Sequence, residues 1–230
     1  FAIEGQAVHE GTAYGVRAST SAMNAAGQMQ VSAFVRPTSG AFSVTAEGLL
    51  DTGGAPSLEG TLTYRQAPPA DQGEAVVGGM TLESPLIADA ERIALSEFVL
   101  LPDENQTATR LTGEATLSLG AEPAFDATVS GGVVALQPRA VTDEGTQPFE
   151  IVRLLRGMPE PLMPPLPGRI AMAINELSVR GVAVRDVRLD ATSDGESWTV
   201  EEFSGRLSGD TTLKLTGQLG RAAGWPAFEG

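Results

Sequence analysis

The residues of this chain that could perform acid–base or metal chemistry are almost all carboxylates. The 230 residues include 29 Asp and Glu, one histidine and no cysteine. Paired carboxylates serve glycoside cleavage or calcium binding, but no EF-hand or glycine-rich calcium repeat is present. We therefore interpret the acids as solvated turn residues, with at best a weak calcium loop at Asp190, Asp194 and Glu196. The acidic pairs are Asp103–Glu104, Asp143–Glu144 and Glu201–Glu202.

The usual nucleophile–base pairs of enzymes are nearly absent from the sequence. His9 is the only histidine and Lys214 the only lysine, and His9 lies beside Glu10 at a predicted turn, with no cysteine or second histidine to act with it. The sequence has no phosphate-binding loop, nucleophile elbow, H-E-x-x-H or dinucleotide-binding motif. It therefore predicts a protein that is not an enzyme, with no catalytic residue, no metal site and no cofactor.

The chain is strongly acidic, with a formal net charge of −14. Such a charge repels nucleic acid phosphates, so binding to DNA or RNA is not expected. The arginines lie mostly in predicted strands or beside turns, and we interpret them as outward-facing partners for the acids. The alternative is that a few of them line a rim and contact lipid headgroups. These arginines are Arg17, Arg65, Arg110, Arg180, Arg185, Arg188 and Arg206.

Glycine-containing turns recur at a nearly constant interval and divide the chain into long strands. They fall at 10–11, 26–27, 39–40 and 51–54, and again at 180–181, 194–195, 209–210 and 223–224. Glycine between apolar runs is a hairpin signal, because it supplies the positive φ of tight turns. The intervening strands are about ten to twelve residues long, against the usual five or six. This pattern is typical of a wide antiparallel meander.

Apolar residues alternate along these strands, so each strand has one apolar face. Over 170–189 the alternation changes phase at Asn175–Glu176, Arg180–Gly181 and Arg185–Asp186. One of these changes is expected to be a hairpin turn and the others bulges, which bend and twist a strand. The sequence therefore predicts a mainly β fold, with long antiparallel meanders curved into a groove or taco-like sheet. Two further apolar sets are Met29, Val31, Ala33 and Val35, and Leu213, Leu215, Gly217 and Leu219.

Two segments break the β pattern and suggest the boundaries of the repeats. Residues 146–156 resemble one short helix, with Thr146 as cap and Gly157 at its end. Residues 158–168 contain five prolines, which predicts a linker or an edge covering rather than a strand. With a second break at 67–73, we predict a β-meander repeat at 1–67, a second at 75–140, the helix and Pro-rich linker at 141–168, and a third repeat at 169–230.

A short phrase occurs three times in the sequence. In each copy a glycine ends an apolar strand, and a proline, an apolar residue and an acid follow after a turn. Internal repeats favour one structural unit used several times and stacked into a continuous surface. This favours an extended scaffold over an enzyme pocket. The anchors are Gly48, Pro56, Leu58 and Glu59, then Gly113, Pro123, Phe125 and Asp126, then Gly217, Pro226, Phe228 and Glu229.

Two long phrases resemble the AsmA family of bacterial envelope proteins. They are LTGEATLSLGAEPAFD at 111–126 and INELSVRGVAVRDVRLDATSDGESWTVEEFSGRLSGDTTLKLTG at 174–217, and IALSEFVLL at 93–101 has the same rhythm. The resemblance implies a periplasmic protein held in the inner membrane by a segment outside this chain, with β repeats forming a lipid groove. It also implies a role in outer-membrane assembly and in phospholipid transfer between the inner and outer membranes.

We therefore expect an internal periplasmic segment of a longer, non-enzymatic protein that shelters phospholipid acyl chains, with other envelope proteins as possible partners. The alternative is a purely structural or adhesive β-repeat module with a closed core. A carbohydrate-binding β domain is a third class, and it would need exposed aromatics from among Tyr14, Tyr64, Trp198 and Trp225. The candidate groove residues are Ile170, Met172, Ile174, Val182, Val184, Leu213 and Leu215.

Overall fold

The computed structural model describes residues 1–9, 11–68, 79–105, 109–136, 166–179, 182–207, 209, 211–222 and 225–230. These residues form β-strands joined by turns, in two compact units. The first unit contains β1 (Ala2–His9), β2 (Thr12–Thr20), β3 (Gln28–Pro37), β4 (Phe42–Asp51), β5 (Ser57–Gln66), β6 (Thr81–Asp89), β7 (Arg92–Leu101) and β8 (Leu111–Ser118). The second contains β9 (Ala124–Leu136), β10 (Pro167–Val179), β11 (Val182–Asp194), β12 (Trp198–Arg206), β13 (Thr212–Ala222) and β14 (Trp225–Glu229).

In the first unit each strand pairs antiparallel with the next one along the chain, from β1 to β8. The predicted turns lie between the strands, and glycine supplies the positive φ that these turns require. Gly27 joins β2 to β3 with φ of 80°, and Gly40 joins β3 to β4 with φ of 71°. The prediction of a mainly β fold made of long antiparallel meanders is confirmed.

The second unit contains one pairing that the sequence did not indicate, because β9 and β10 are parallel. A parallel pair needs a connection of a dozen or more residues, and Leu136 at the end of β9 is 31 positions before Pro167 at the start of β10. From β10 to β14 the strands again form an antiparallel meander. The predicted short helix lies outside the described residues.

The start of β10 corrects one boundary of the predicted Pro-rich linker. The strand begins at Pro167, within the segment that we expected to be a linker as far as Gly168. Proline is tolerated at the first residue of a strand, because the missing N–H costs least there. The apolar alternation over 170–174 correctly indicated a strand. The prolines just before it led us to place the start of that strand too late in the chain.

Of the three phase changes in 170–189, one is the predicted hairpin, the one at Asp186 coincides with a register shift against β12, and the one at Asn175 has no register shift against β9 or β11, so the bulge predicted there is absent. Val179 pairs with Val182, so the change at 180–181 is the hairpin. Asn175 and Asp186 would face each other across β10 and β11, but the ladder skips this pair and resumes in the same register at Glu176. Asp186 has a φ of 49°, a left-handed conformation that aspartate tolerates better than most residues. Because both strands change phase at one level, the apolar side chains stay on one face.

Carboxylates close several hairpin turns by accepting hydrogen bonds from backbone N–H groups. Asp194 Oδ1 accepts the N–H groups of Glu196 at 2.9 Å and Ser197 at 2.7 Å. These hydrogen bonds stabilise the ionised carboxylate and hold the pKa of Asp194 below its ordinary value of 3.8. Asp51 and Asp89 lie in the β4–β5 and β6–β7 turns, and backbone hydrogen bonds lower their pKa values in the same way.

We expect the fold to lose stability as the pH falls through these lowered pKa values. The contribution is fully present above the ordinary pKa of 3.8, because there the carboxylates are ionised in both the folded and unfolded chain. Thermal unfolding followed by circular dichroism from about pH 6 to about pH 2 measures the loss. Asp194→Asn keeps an acceptor oxygen but cannot titrate, so its unfolding temperature should depend less on pH. An unchanged pH dependence in this variant would contradict the assignment.

Candidate functional site

The predicted groove residues fall on one face of the second unit. Opposite residues in the β ladders place Ile174 beside Val187, Leu213 beside Gly205, and Leu215 beside Phe203. For Val182 the structure gives only the backbone position, which is opposite Val179 at the β10–β11 hairpin. The other predicted residues belong to a set that we call the second apolar face. Its members are Phe125, Ala127, Val129, Val134, Ile170, Met172, Ile174, Leu177, Val184, Val187, Leu189, Ala191, Trp198, Val200, Phe203, Leu213, Leu215 and Leu219.

Burial is uneven across this face. Ile174 is 4% exposed, Val184 7% and Val187 1%, so the middle of β10 and β11 is closed to solvent. Ile170, Met172, Leu213 and Leu215 are half-buried and remain accessible. Half-buried members of the second apolar face occur on every strand from β9 to β13, and they include four of the seven predicted groove residues.

Gly205 explains why the middle of the face is tightly packed. It is buried in β12, and a methyl group added there would lie 2.6 Å from Cγ1 of Val184. Val187 Cγ2 would lie 3.8 Å from the same methyl group. The two valines therefore occupy the space above a glycine, and substitution of Val184 tests packing rather than an open surface.

An aromatic pair closes one end of the second apolar face. The rings of Phe125 and Trp198 lie 6.0 Å apart in an edge-to-face arrangement, although β10 and β11 separate their strands. Gly168 and Ser193 occupy the two strands between them, and any side chain at Gly168 would overlap the Phe125 ring. The small residues thus let the two rings meet above the sheet.

The first unit has an apolar face of the same kind. Its ring contacts join Tyr14 to Phe42 at 6.5 Å and Phe42 to Tyr64 at 5.7 Å, and burial raises the pKa of Tyr64 above its ordinary value of 10.0. Nearly all members are half-buried rather than buried. The face consists of Tyr14, Val16, Ala18, Met29, Val31, Ala33, Val35, Phe42, Val44, Ala46, Leu50, Leu58, Leu62, Tyr64, Leu82, Leu86, Ala88, Ile93, Leu95, Phe98, Leu100, Leu111, Ala115 and Leu117.

A glycine pair bends the first sheet toward its apolar face. Gly48 and Gly60 face each other across β4 and β5. A methyl group on Gly48 would lie 2.8 Å from the Cα of Gly60, and one on Gly60 would lie 2.6 Å from the Cα of Gly48. Real Cβ atoms essentially never lie within 3.0 Å of another heavy atom, so the backbones of β4 and β5 are unusually close here. The two strands therefore close together on the apolar side, which makes that side locally concave.

The third copy of the repeated phrase has the same geometry in the second unit. A methyl group on Gly217 would overlap the carbonyl oxygen of Glu229 and lie 2.7 Å from the Cα of Gly230. In the first copy the corresponding atoms belong to Glu59 and Gly60. In the first and third copies the repeated glycine thus marks a place where adjacent strands approach closely on the apolar side.

Ion pairs lie on the opposite, polar side of the second unit. Arg169 binds Asp190 through two hydrogen bonds of 3.0 and 2.5 Å, and this contact holds the pKa of Asp190 below its ordinary value. Arg206 binds Asp186, the left-handed residue where β11 changes phase. Arg185 pairs with Glu176 at 3.3 Å. These pairs fit the preferred interpretation of the arginines as partners for acids.

The other predicted arginines do not all fit that interpretation. Arg17 contacts Glu4 at 3.0 Å. Arg65, Arg110 and Arg188 have no ion pair within the described part of the chain, and Arg180 lies outside it. Exposed ion pairs contribute about 0–1 kcal/mol each, so these contacts orient side chains more than they stabilise the fold.

Across the described ranges, no three His, Cys, Asp or Glu residues are grouped closely enough to bind a metal ion. Asp190 and Asp194, two members of the weak calcium loop, are engaged by Arg169 and by the β11–β12 turn. Tyr14, Tyr64 and Trp198 all make ring contacts on apolar faces, an arrangement unlike an exposed sugar-stacking platform.

Sequence reasoning missed the residues that close the middle of the second apolar face. Val187 lies within the alternating stretch 170–189, but the pattern did not distinguish it from the accessible positions. Ala191 is 2% exposed and Val134 3% exposed, and both depend on strand neighbours that are distant in the chain. The available signal was the phase change at Asp186, which shows that Val184 and Val187 share a face.

No protein-family model matches the chain, and neither a curated protein nor a solved structure matches it. The resemblance to the AsmA family therefore stays a prediction from the sequence. Among the described residues, no helix is long and apolar enough to cross a membrane.

Proposed function

We propose that this chain is a non-enzymatic β-groove segment that shelters phospholipid acyl chains on its apolar faces. In this proposal it lies in the periplasm, within an inner-membrane-anchored protein that serves outer-membrane assembly and lipid transfer between the two membranes. The observation that supports acyl-chain binding is the pair of long aliphatic faces, which are half-buried and locally concave at Gly48–Gly60. The envelope role rests on the AsmA-like phrases alone.

The energetics of an aliphatic surface suit this role. Each buried methylene group contributes about 0.8 kcal/mol, so about ten methylene groups in contact would offset much of the entropy cost of binding. Leu213 and Leu215 supply such a surface without a hydrogen-bonding group that selects a particular headgroup. A surface of this kind is therefore suited to binding many kinds of acyl chain weakly and to letting them move along the strands.

The rival proposal is a purely structural or adhesive module, and one observation favours it. In the middle of the second unit, Val187 at 1% and Ala191 at 2% exposure are as buried as residues of an ordinary core. If the remaining apolar positions pack as closely in the whole protein, no acyl chain could enter. Lipid content is therefore the quantity that separates the two proposals.

Native mass spectrometry with lipid extraction tests the proposal on the purified chain. We expect bound phospholipid at a defined stoichiometry, and a loss of about tenfold or more in Leu215→Asp, because a charge in the acyl-chain path costs more than about 1.4 kcal/mol. Thr216→Asp is the matched control, since Thr216 is exposed on the opposite face of the same strand. A lipid-free wild-type chain, or equal lipid in both variants, would favour the structural module.

A further inference from the structure

Two exposed arginines lie at one end of the central strands of the first unit. Arg36 is the second-last residue of β3, and Arg65 is the second-last residue of β5. Arg65 lies opposite Ser43 in the β4–β5 ladder. Arg36 follows Val35, which lies opposite Val44 on the apolar face. Because successive side chains point to opposite faces, both arginines lie on the polar face of the sheet.

Neither arginine forms an ion pair within the described part of the chain, although acids outnumber lysines and arginines by 29 to 15. Glu83 on the adjoining strand β6 lies opposite Thr63, not Arg65. The Arg36 guanidinium lies against the β3–β4 turn, where a Cβ atom on Gly40 would be 2.7 Å from its Nη2 atom. Both guanidinium groups therefore remain able to bind an anion from outside this unit.

The apolar face carries a row of three rings at the same end of these strands. Phe42 is the first residue of β4, and its ring lies 6.5 Å from that of Tyr14 and 5.7 Å from that of Tyr64. The Tyr64 hydroxyl donates to Oε1 of Gln66, the last residue of β5, at 3.4 Å. Its polar tip therefore points toward the strand end. Aromatic side chains with an apolar ring and a polar tip are typical of the boundary between lipid headgroups and acyl chains.

The β3–β4 turn, which joins the two strands at this end, carries no charged side chain. Residues 38–41 are Thr, Ser, Gly and Ala, so the turn can enter a headgroup layer without burying an ionised group. The opposite end of β4 is different, because Asp51 there accepts the N–H group of Gly53 at 2.8 Å and is ionised at neutral pH. The combination of arginines, rings and an uncharged turn therefore distinguishes one end of β4 from the other.

We propose that this end docks on the surface of a phospholipid bilayer. We call it the β3–β4 rim and define it by Tyr14, Arg36, Phe42, Tyr64 and Arg65. Guanidinium groups bind lipid phosphates through charge-assisted hydrogen bonds. Arg36 and Arg65 are two strands apart, about 10 Å, so each contacts a separate headgroup. The rings contact the boundary with the acyl chains, a role that a free phosphate ion would leave unfilled.

The net charge of −14 does not prevent this docking at physiological salt. The Debye length is about 8 Å at that ionic strength, whereas a strand of ten residues spans about 30 Å. Carboxylates at the far end, such as Asp51 and Asp89, are therefore screened from the bilayer. Docking does not require an acyl chain to enter the apolar faces, so vesicle binding and the lipid content of the purified chain can succeed or fail independently.

Co-sedimentation of the whole chain with vesicles of phosphatidylcholine and phosphatidylglycerol in about 150 mM salt tests the docking. We expect the wild type to bind, and Arg36→Glu to lower the partition coefficient about tenfold. Arg92→Glu is the matched control, because it makes the same change of charge at the opposite end of the sheet, where β7 begins. No binding by the wild type, or an equal loss in both variants, would overturn the proposal. Release of the wild type by excess inorganic phosphate at constant ionic strength would also overturn it, in favour of a site for a free phosphate ion.

Fluorescence quenching tests which end of the strands meets the bilayer. Phe42→Trp and Leu50→Trp place an indole at the two ends of β4 on the same face, about 27 Å apart. Trp198 and Trp225 give both variants the same background. A quencher attached to the lipid acyl chains should quench Phe42→Trp and leave Leu50→Trp at the level of the wild type. Equal quenching of the two variants, or none for a folded Phe42→Trp variant, would refute docking through the β3–β4 rim.

Discussion

Replacing Gly60 with alanine is expected to destabilise the first unit by about 3 kcal/mol. The new methyl group would overlap the carbonyl oxygen of Glu47 and lie 2.6 Å from the Cα of Gly48. Both obstacles are backbone atoms of β4, so the strain can be relieved only by separating two strands that are paired along their length. Equilibrium unfolding in urea, followed by circular dichroism, measures the loss.

Gly54→Ala is the matched control for this substitution. Gly54 lies in the turn of the same hairpin, and an added methyl group there meets no heavy atom within 4 Å. We expect this variant to be neutral or more stable by up to about 1 kcal/mol, because alanine restricts the unfolded chain. If Gly60→Ala proved as harmless as Gly54→Ala, the close approach of β4 and β5 would be wrong, together with the local concavity inferred from it.

Replacing Val187 with aspartate is expected to cost more than about 4 kcal/mol and to unfold the second unit at ambient temperature. Val187 is 1% exposed, and its neighbours across the sheet are Ile174 on β10 and Gly205 on β12. These neighbours offer no hydrogen-bond donor from a side chain, so the carboxylate would be buried unpaired. Loss of the β-sheet signal in circular dichroism and faster proteolysis within 124–230 are the readouts.

The same chemical change at Val133 provides the comparison. Val133 lies in β9 of the same unit and is 52% exposed, so an aspartate there stays hydrated. Its strand neighbour is Glu176, and the like charges should cost less than about 1 kcal/mol. Comparable destabilisation by both substitutions would mean that the middle of the second apolar face is not packed as described.

Local signals in the sequence were sufficient for the meander but not for its one parallel pair. Glycine turns such as Gly27 and Gly195 and the alternation of apolar residues act over a few positions, so the antiparallel hairpins could be predicted. The pairing of β9 with β10 joins residues on either side of a 30-residue crossover. No turn chemistry or alternation specifies which edge such a returning strand selects.

The sequence was sufficient to predict which residues share the second apolar face, but not how deeply each of them is buried. The alternation of apolar residues predicted that Ile174 and Leu213 share one face. The strand pairings through β11 and β12 place both residues on the same face. Which of them is accessible depends on what lies across the strands, since Ile174 adjoins Val187 while Leu213 adjoins Gly205. Burial in a sheet is decided by neighbours that are distant in the chain, and a single sequence does not give that register.

The shared phase change in β9, β10 and β11 limits how these strands can evolve in length. Val134, Leu177 and Val184 stay with the apolar set because each strand shifts by one residue at the same level. Deletion of Asn175 alone would make β10 alternate regularly and leave β9 and β11 each one residue longer than β10 at this level, which forces a bulge on both sides of β10. Natural variants should therefore gain or lose a residue at this level in all three strands together, or in none.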